Sequence, residues 1–278
     1  MSLKKFRPTT PGVRHMSVSS FDEITTSKPE KSLIVAIKRH AGRNNLGRIT
    51  TRHRGSGEKK FYRLIDFKRT DKLGIEGTVK TIEYDPYRTA RIMLVQYTDG
   101  EKKYHLAQDG IKVGDKIMTK EKAKIKAGNR IMIKNIPVGY DICEVELNKG
   151  KGAQLGRSAG TRIKLVSLET PKAQIQMPSG EVRYVEKTNY ATIGVIGNID
   201  HNNMKIGKAG RKRHMGRRPE VRGKVMNPVD HPHGGGEGRN KIGLKHPKTP
   251  WGMPTLGFKT RRRKFTNIMI IKDRRNKA

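Results

Sequence analysis

Between residues 60 and 197 the chain alternates apolar and polar positions in short runs closed by Gly, Pro or Asp. Gly77–Asp85, Ala90–Tyr97 and Lys102–Leu106 read as three short strands. Asp99-Gly100 separates the last two, and that pair signals a tight hairpin because Gly takes a positive φ without steric cost. Arg130–Lys134, Cys143–Leu147 and Thr161–Leu168 continue the pattern. Lys172–Met177 and Val182–Lys187 pair around Pro178-Ser179-Gly180, with Ile175 and Met177 alternating against polar neighbours. No window carries the spacing of a long amphipathic helix. Many short strands with frequent turns predict small barrels. The reading is all-β, with one barrel over 60–126 and a second over 127–197, each near the lower size at which a domain folds alone.

The ends lack this pattern. Residues 198–278 hold 11 glycines and 6 prolines scattered among basic side chains. Too little apolar surface is present there to offset the entropy of ordering the backbone. Residues 1–59 and 198–278 are therefore expected to be basic extensions that take their shape against a partner. Charge sharpens the division. Of a net +36, residues 1–60 carry +10 and residues 198–278 carry +17, against +6 for 61–130 and +3 for 131–197. Such a charge repels itself in a compact free monomer, and a polyanion is the simplest remedy.

The polyanion is not expected to be a membrane. Leu33–Ile37 and Ile92–Val95, the longest apolar runs, fall far short of the ~20 residues that span a bilayer. The N-terminus is basic but has no apolar signal stretch, and Pro8 and Pro11 oppose a helical transit peptide there. The lone Cys143 excludes an internal disulfide framework and a CxxC zinc knuckle, and it reads as a small buried hydrophobe. The cytosol is the default compartment, with an organellar setting left open.

Three motifs raise enzymatic or cofactor chemistry. Gly156-Arg157-Ser158-Ala159-Gly160 matches the nucleophile-elbow pattern, which needs a strand before the serine and a helix after it. Lys149–Gly152 precedes it and the β-rich Thr161–Val166 follows, so a basic glycine loop approaching phosphates is the better reading. His231-Pro232-His233, with Asp230 and Glu237, offers zinc-ligand types, but a glycine run gives no rigid geometry for them. Gly234–Gly238 is followed by Arg239 rather than Lys-Ser, and no phosphate-cradle spacing occurs anywhere. Neither a metal nor a cofactor is expected. What remains is three consecutive positions without side chains, able to thread a polyanionic crevice, with Arg239 and Asn240 reaching phosphates or base edges. Trp251, alone in the C-terminal extension, would stack on an exposed base or cover a sugar.

Five blocks carry a resemblance. GRNNLGRITTRHRGSG at 42–57, YDPYRTARI at 84–92, NIPVG at 135–139, GKGAQLGRSAGT at 150–161 and MNPVDHPHGGGEGRN at 226–240 closely resemble the universal large-subunit ribosomal protein L-two family, bacterial or organellar branch. The order and spacing of the blocks match over about 7–265. Gly55-Ser56-Gly57 stands where the family has a triple glycine, and 18–40 matches poorly. The resemblance implies an OB-like first barrel and an SH3-like second one. It also implies large-subunit rRNA as primary partner, with small-subunit rRNA at an intersubunit bridge, neighbouring ribosomal proteins, and indirect support of tRNA binding. The family's HPHGGG loop approaches the peptidyl-transferase region.

The residues expected to contact RNA fall in four groups. Arg43, Arg48, Arg52, His53 and Arg54 close the N-terminal extension. Lys151, Arg157, Ser158 and Arg162 surround the glycine loop of the second barrel. Lys208, Arg211, Arg213, Arg217, Arg218 and Arg222 form the basic cluster after it, to which Arg261–Lys264 adds a second. His231, His233, Gly234, Gly235, Gly236, Arg239, Asn240 and Trp251 belong to the distal extension. No catalytic residue is expected. The alternatives are a DNA-compacting protein, for which a glycine-rich block is purposeless on a regular duplex, and direct peptidyl transfer through His231.

Overall fold

A computed structural model describes residues 3–262 and 264–275. Their contacts divide into two compact units. One comprises the chain up to Lys38, Lys59–Arg211 and the segment from Ile268 onward; the other comprises Arg39–Glu58 and Lys212–Asn267. Among the described residues strands predominate, and the one α-helix is Ala209–His214. The protein is all-β, with an OB-like barrel followed by an SH3-like barrel in the first unit.

The first barrel is an antiparallel sheet ordered Lys102–Leu106, Ile92–Tyr97, Glu76–Glu83, Lys116–Met118. Val79 faces Val95 and Ile82 faces Met93, while a bulge at Lys80 puts that side chain in solvent. The Asp99-Gly100 hairpin forms as its residues predict: Gly100 has φ 85, and the Tyr97 N–H donates to the Glu101 carbonyl at 2.9 Å. Gly77 is required for packing instead, since a Cβ there would lie 2.5 Å from a Val95 methyl. The segment 65–73 covers both sheet edges, with Ile65 bridging Tyr104 and Leu73 bridging Thr119 in parallel.

The second barrel runs Ile270–Lys272, Val182–Val185, Ala173–Gln176, Ile163–Ser167, Asp141–Cys143, Tyr190–Ile193, Arg130–Met132. The hairpin at Pro178–Gly180 closes with Gly180 at φ 86 and the Met177 N–H donating to Glu181 O. Ile131, Ile142, Val145, Ile163, Leu165 and Ile175 are fully buried and form its centre. The strand expected over Cys143–Leu147 is broken: Glu144 sits at φ 49, so Asp141–Cys143 and Val145–Glu146 join different sheets. Lys116–Met118 and Tyr190–Ile193 were not anticipated. Cys143 is buried as expected, packed with Ile92, Leu106 and Ile196 where the barrels meet, and burial pushes its thiol well above the usual range.

Residues 3–38 are tied into the first unit. Leu3–Lys5 pairs with Ser17–Ser19, the Ser17 N–H donates to Lys205 O at 2.9 Å, and Thr25 Oγ1 accepts from the Ile82 N–H at 2.9 Å. Hydroxyl and backbone hydrogen bonds do there what apolar burial does in the barrels. Composition alone weighed only the latter.

Candidate nucleic-acid interface

The second unit contains two glycine-rich loops, each closed by its own backbone. In the first, the chain 53–58 is stitched to 214–218. The Gly55 N–H donates to Gly216 O at 2.8 Å, Glu58 N–H to His214 O at 3.0 Å and Arg218 N–H to His53 O at 3.1 Å. Arg54 bridges Arg217 antiparallel. The approach is so close that a Cβ on Gly57 would meet His214 O at 2.6 Å. Ser56 is exposed, so the departure from triple glycine is sterically free. Upstream, Asn44 Oδ1 accepts from the N–H groups of Leu46 and Arg48 and shapes the turn that presents Arg43 and Arg48.

This stitching gathers charge. Arg43, Arg54, Arg213, Arg217 and Arg218 line one concavity of about 450 Å3. Its single carboxylate, Glu58, is taken by His214 at 2.7 Å. The whole unit holds 20 Lys and Arg against 4 Asp and Glu, net +16. Among its described residues that Glu58–His214 contact is the one that joins an acidic to a basic side chain. Among the described residues no carboxylate pairs with these guanidiniums, which suits a polyanion.

The second loop, 222–240, differs from its expected character. Gly234–Gly236 were read as bare backbone that an external crevice holds in shape. Their missing side chains are instead required by the loop itself. A Cβ on Gly234 would lie 2.3 Å from Asn227 O, one on Gly235 2.9 Å from the Pro228 ring, and one on Gly236 would overlap the Asn240 amide. Asn227 O accepts from the N–H groups of Asp230 and His231, and Gly235 N–H donates to Met226 O. His231 is 7% exposed, with Gly223 tight against its ring. Its Nδ1 accepts from the His233 N–H at 3.0 Å, and His233 Nε2 accepts from the Lys248 N–H at 2.8 Å. Backbone N–H groups only donate, so those two nitrogens act as acceptors in this arrangement. The same nitrogens are then not available to a metal. No cluster of three His, Cys, Asp or Glu side chains suited to a metal occurs among the described residues.

Trp251 is 77% exposed in the turn closed by Thr249 and Met253, with the Arg52 guanidinium 5.3 Å from its ring centroid. One face of the indole is thus already stacked. Arg52, Arg222 and Arg239 are exposed in the same unit. Of the distal basic cluster, Arg261 and Arg262 are exposed, whereas Arg263 lies outside the described residues.

Lys151, Arg157, Ser158, Arg162, Lys208 and Arg211 belong instead to the first unit. A short strand, Ala153–Leu155, does precede Ser158, contrary to the reading from Lys149–Gly152. The next regular element is the strand Ile163–Ser167, so the helix of a nucleophile elbow is missing. Gly156 and Gly160 at φ 65 and 66 make this a turn, with Arg157 stacked 4.8 Å over Phe67. Gly223, Asn227 and Lys248 were missed; nothing in their sequence neighbourhood marks a carbonyl or amide that closes a loop.

Two family models match the chain. The description of one is Ribosomal Proteins L2, RNA binding N-terminal domain, over residues 30–119; that of the other is Ribosomal Proteins L2, C-terminal domain, over residues 126–252. The chain belongs to the ribosomal protein L2 family. It is therefore a protein of the large ribosomal subunit that binds rRNA among other ribosomal proteins. Membership accounts for the basic unit: an L2 protein has a polyanion to neutralise it.

Proposed function

We propose that this chain is a primary rRNA-binding constituent of the large subunit that stabilises RNA near the peptidyl-transferase region. In this reading the barrels over 60–126 and 127–197 are the platform, and 1–59 and 198–278 supply the RNA-reaching surface. It supports subunit association through small-subunit rRNA at an intersubunit bridge, and tRNA binding indirectly, on cytosolic ribosomes. The observation that carries the RNA reading is the five-arginine concavity without a free carboxylate. A compact, self-closed glycine loop suits irregular folded RNA better than a regular duplex. Preference for duplex DNA over folded RNA at moderate salt would overturn it.

The histidine geometry supports a structural role for the HPHGGG loop. A neutral imidazole has one acceptor nitrogen. In His231 that nitrogen receives the His233 N–H, which leaves no lone pair to take a substrate proton. The test is His231→Ala in purified ribosomes. Particles that assemble and bind tRNA should keep most peptide-bond formation at saturating substrate. Loss of the chemical step by several orders of magnitude in such particles means that His231 takes part directly.

A further inference from the structure

Apart from the arginine concavity, the first unit has a cavity of about 540 Å3 with a different character. Ile82, Ala107, Ile111 and Val113 give it an apolar lining, and the charged Glu23, Arg91, Asp109 and Lys112 line it as well. Arg91 is 3% exposed yet makes no ion pair among the described residues, and its Nη2 donates to Ser19 Oγ at 2.7 Å. Phe21 stacks at 4.8 Å from its guanidinium, and Nε has no partner. Glu23, half-buried, makes no hydrogen bond or ion pair among the described residues. The turn from Phe21, at φ 62 with its carbonyl accepting from Ile24 N–H, brings Glu23 to the cavity. The two charges attract each other, yet no ion pair joins them. Burial raises the Glu23 carboxyl and lowers Arg91, so both are incompletely solvated.

Burying an unmatched guanidinium is costly unless something completes its hydrogen bonds. A ligand that bridges the two groups must present donors to Glu23 and acceptors to Arg91 on a flat, largely apolar body. Among bases, guanine does so. Its N1–H and N2–H donate to a carboxylate, and its O6 and N7 accept a guanidinium. Adenine and cytosine offer the carboxylate only an exocyclic amine, without the adjacent imino proton that gives guanine a two-point grip. We propose that this cavity is a guanine site, with Glu23 and Arg91 reading the base edge and Ile82, Ile111 and Val113 flanking its faces. The source is either a guanine extruded from RNA or a free guanine nucleoside. The extruded source rests on the RNA-binding function; the pocket chemistry does not.

The test uses the full chain and uncharged nucleosides, which avoid non-specific phosphate attraction. Guanosine and adenosine are titrated by saturation-transfer NMR and equilibrium dialysis at moderate salt. Guanosine should bind about tenfold or more tighter than adenosine. Glu23→Gln should remove that preference, and Val113→Trp, at the exposed rim, should block both nucleosides while melting stays unchanged. Equal binding of the two nucleosides, no binding of either, or a guanosine preference that survives Glu23→Gln overturns the assignment. A hairpin RNA carrying one extruded G or A then identifies the source: G-over-A discrimination lost in Glu23→Gln means RNA, and none means the free nucleoside. Wild-type affinity for the hairpin itself tests the RNA-binding reading separately.

Discussion

Arg69 Nη2 meets Glu144 Oε2 at 2.8 Å where the two barrels join, and both residues hold left-handed backbones, φ 55 and φ 49. Their side chains are 1% and 0% exposed. Two non-glycine residues in that region cost roughly 1–2 kcal/mol each. The surroundings that keep them there are polar: Gln108 Nε2 and Thr192 Oγ1 reach the same Glu144 oxygen at 3.1 Å, and Arg130 donates to the Glu144 carbonyl at 2.8 Å. A second buried pair, Arg130–Glu146, stands beside it at 2.9 Å.

Removing one partner of such a pair leaves the other charge buried and unmatched. Glu144→Gln should therefore destabilise the chain by about 3–5 kcal/mol in urea unfolding. The double change Arg69→Met with Glu144→Met should cost less than the single one. A Glu144→Gln loss under about 1 kcal/mol means that water reaches this seam.

His105 gives a pH signature. It is fully buried, with Nε2 2.9 Å from the Tyr97 hydroxyl, and burial, reinforced by the charge of Arg69, holds it well below its usual 6.5. The folded chain thus refuses a proton that the unfolded chain accepts below about 6.5. Stability from this residue is full above that pH. It declines as the pH falls, by about 1.4 kcal/mol per unit until the lowered folded value is reached. Urea midpoints between about pH 7 and pH 5.5 should show the decline in the wild type and a flatter course in His105→Gln. An equal decline in both places the titration elsewhere.

The glycine loop makes an internal comparison possible. Gly234→Ala drives a Cβ into Asn227 O, whereas Gly238, at φ 65, has open space around it. Gly234→Ala and Gly235→Val should sharply reduce incorporation into large subunits on sucrose gradients, more than His231→Ala does. Gly238→Ala should be mild, with a backbone cost near 1 kcal/mol. Normal incorporation of Gly234→Ala means that the loop is not closed by its own contacts.

How much of this was legible from sequence depended on whether the signal was local. The hairpins at Asp99-Gly100 and Pro178–Gly180 were, because turn chemistry and alternation sit in adjacent residues. Tyr190–Ile193 is buried on both faces, so alternation never marks it. The break at Glu144 hides inside the alternating run Cys143–Leu147. The arginines of the concavity were recognisable as RNA-directed, but their convergence was not. It depends on backbone bonds between Gly55 and Gly216, which no side-chain periodicity encodes. The histidines were legible as chemistry-bearing groups, and only geometry shows their nitrogens engaged by backbone N–H groups.

Trp251 is the single tryptophan, and it is exposed beside Arg52. Its fluorescence should quench on titration with an rRNA fragment as a base stacks on its free face. Trp251→Ala should weaken binding by about 1–3 kcal/mol, the usual worth of one stacked base. Emission unchanged at saturating RNA removes Trp251 from the interface.

RNA phosphates are expected to meet the arginines Arg43, Arg54, Arg213, Arg217 and Arg218 of the concavity. The most direct test is the salt dependence of affinity for a large-subunit rRNA fragment, in the wild type and with Arg43, Arg54, Arg213, Arg217 and Arg218 changed to Gln. Each lost phosphate contact should flatten the slope of log K against log salt by about 0.7–0.9. The five changes together should then flatten it by roughly 3 or more, while the melting of the barrels is unaltered. A slope equal to wild type would place the RNA surface elsewhere and contradict the account.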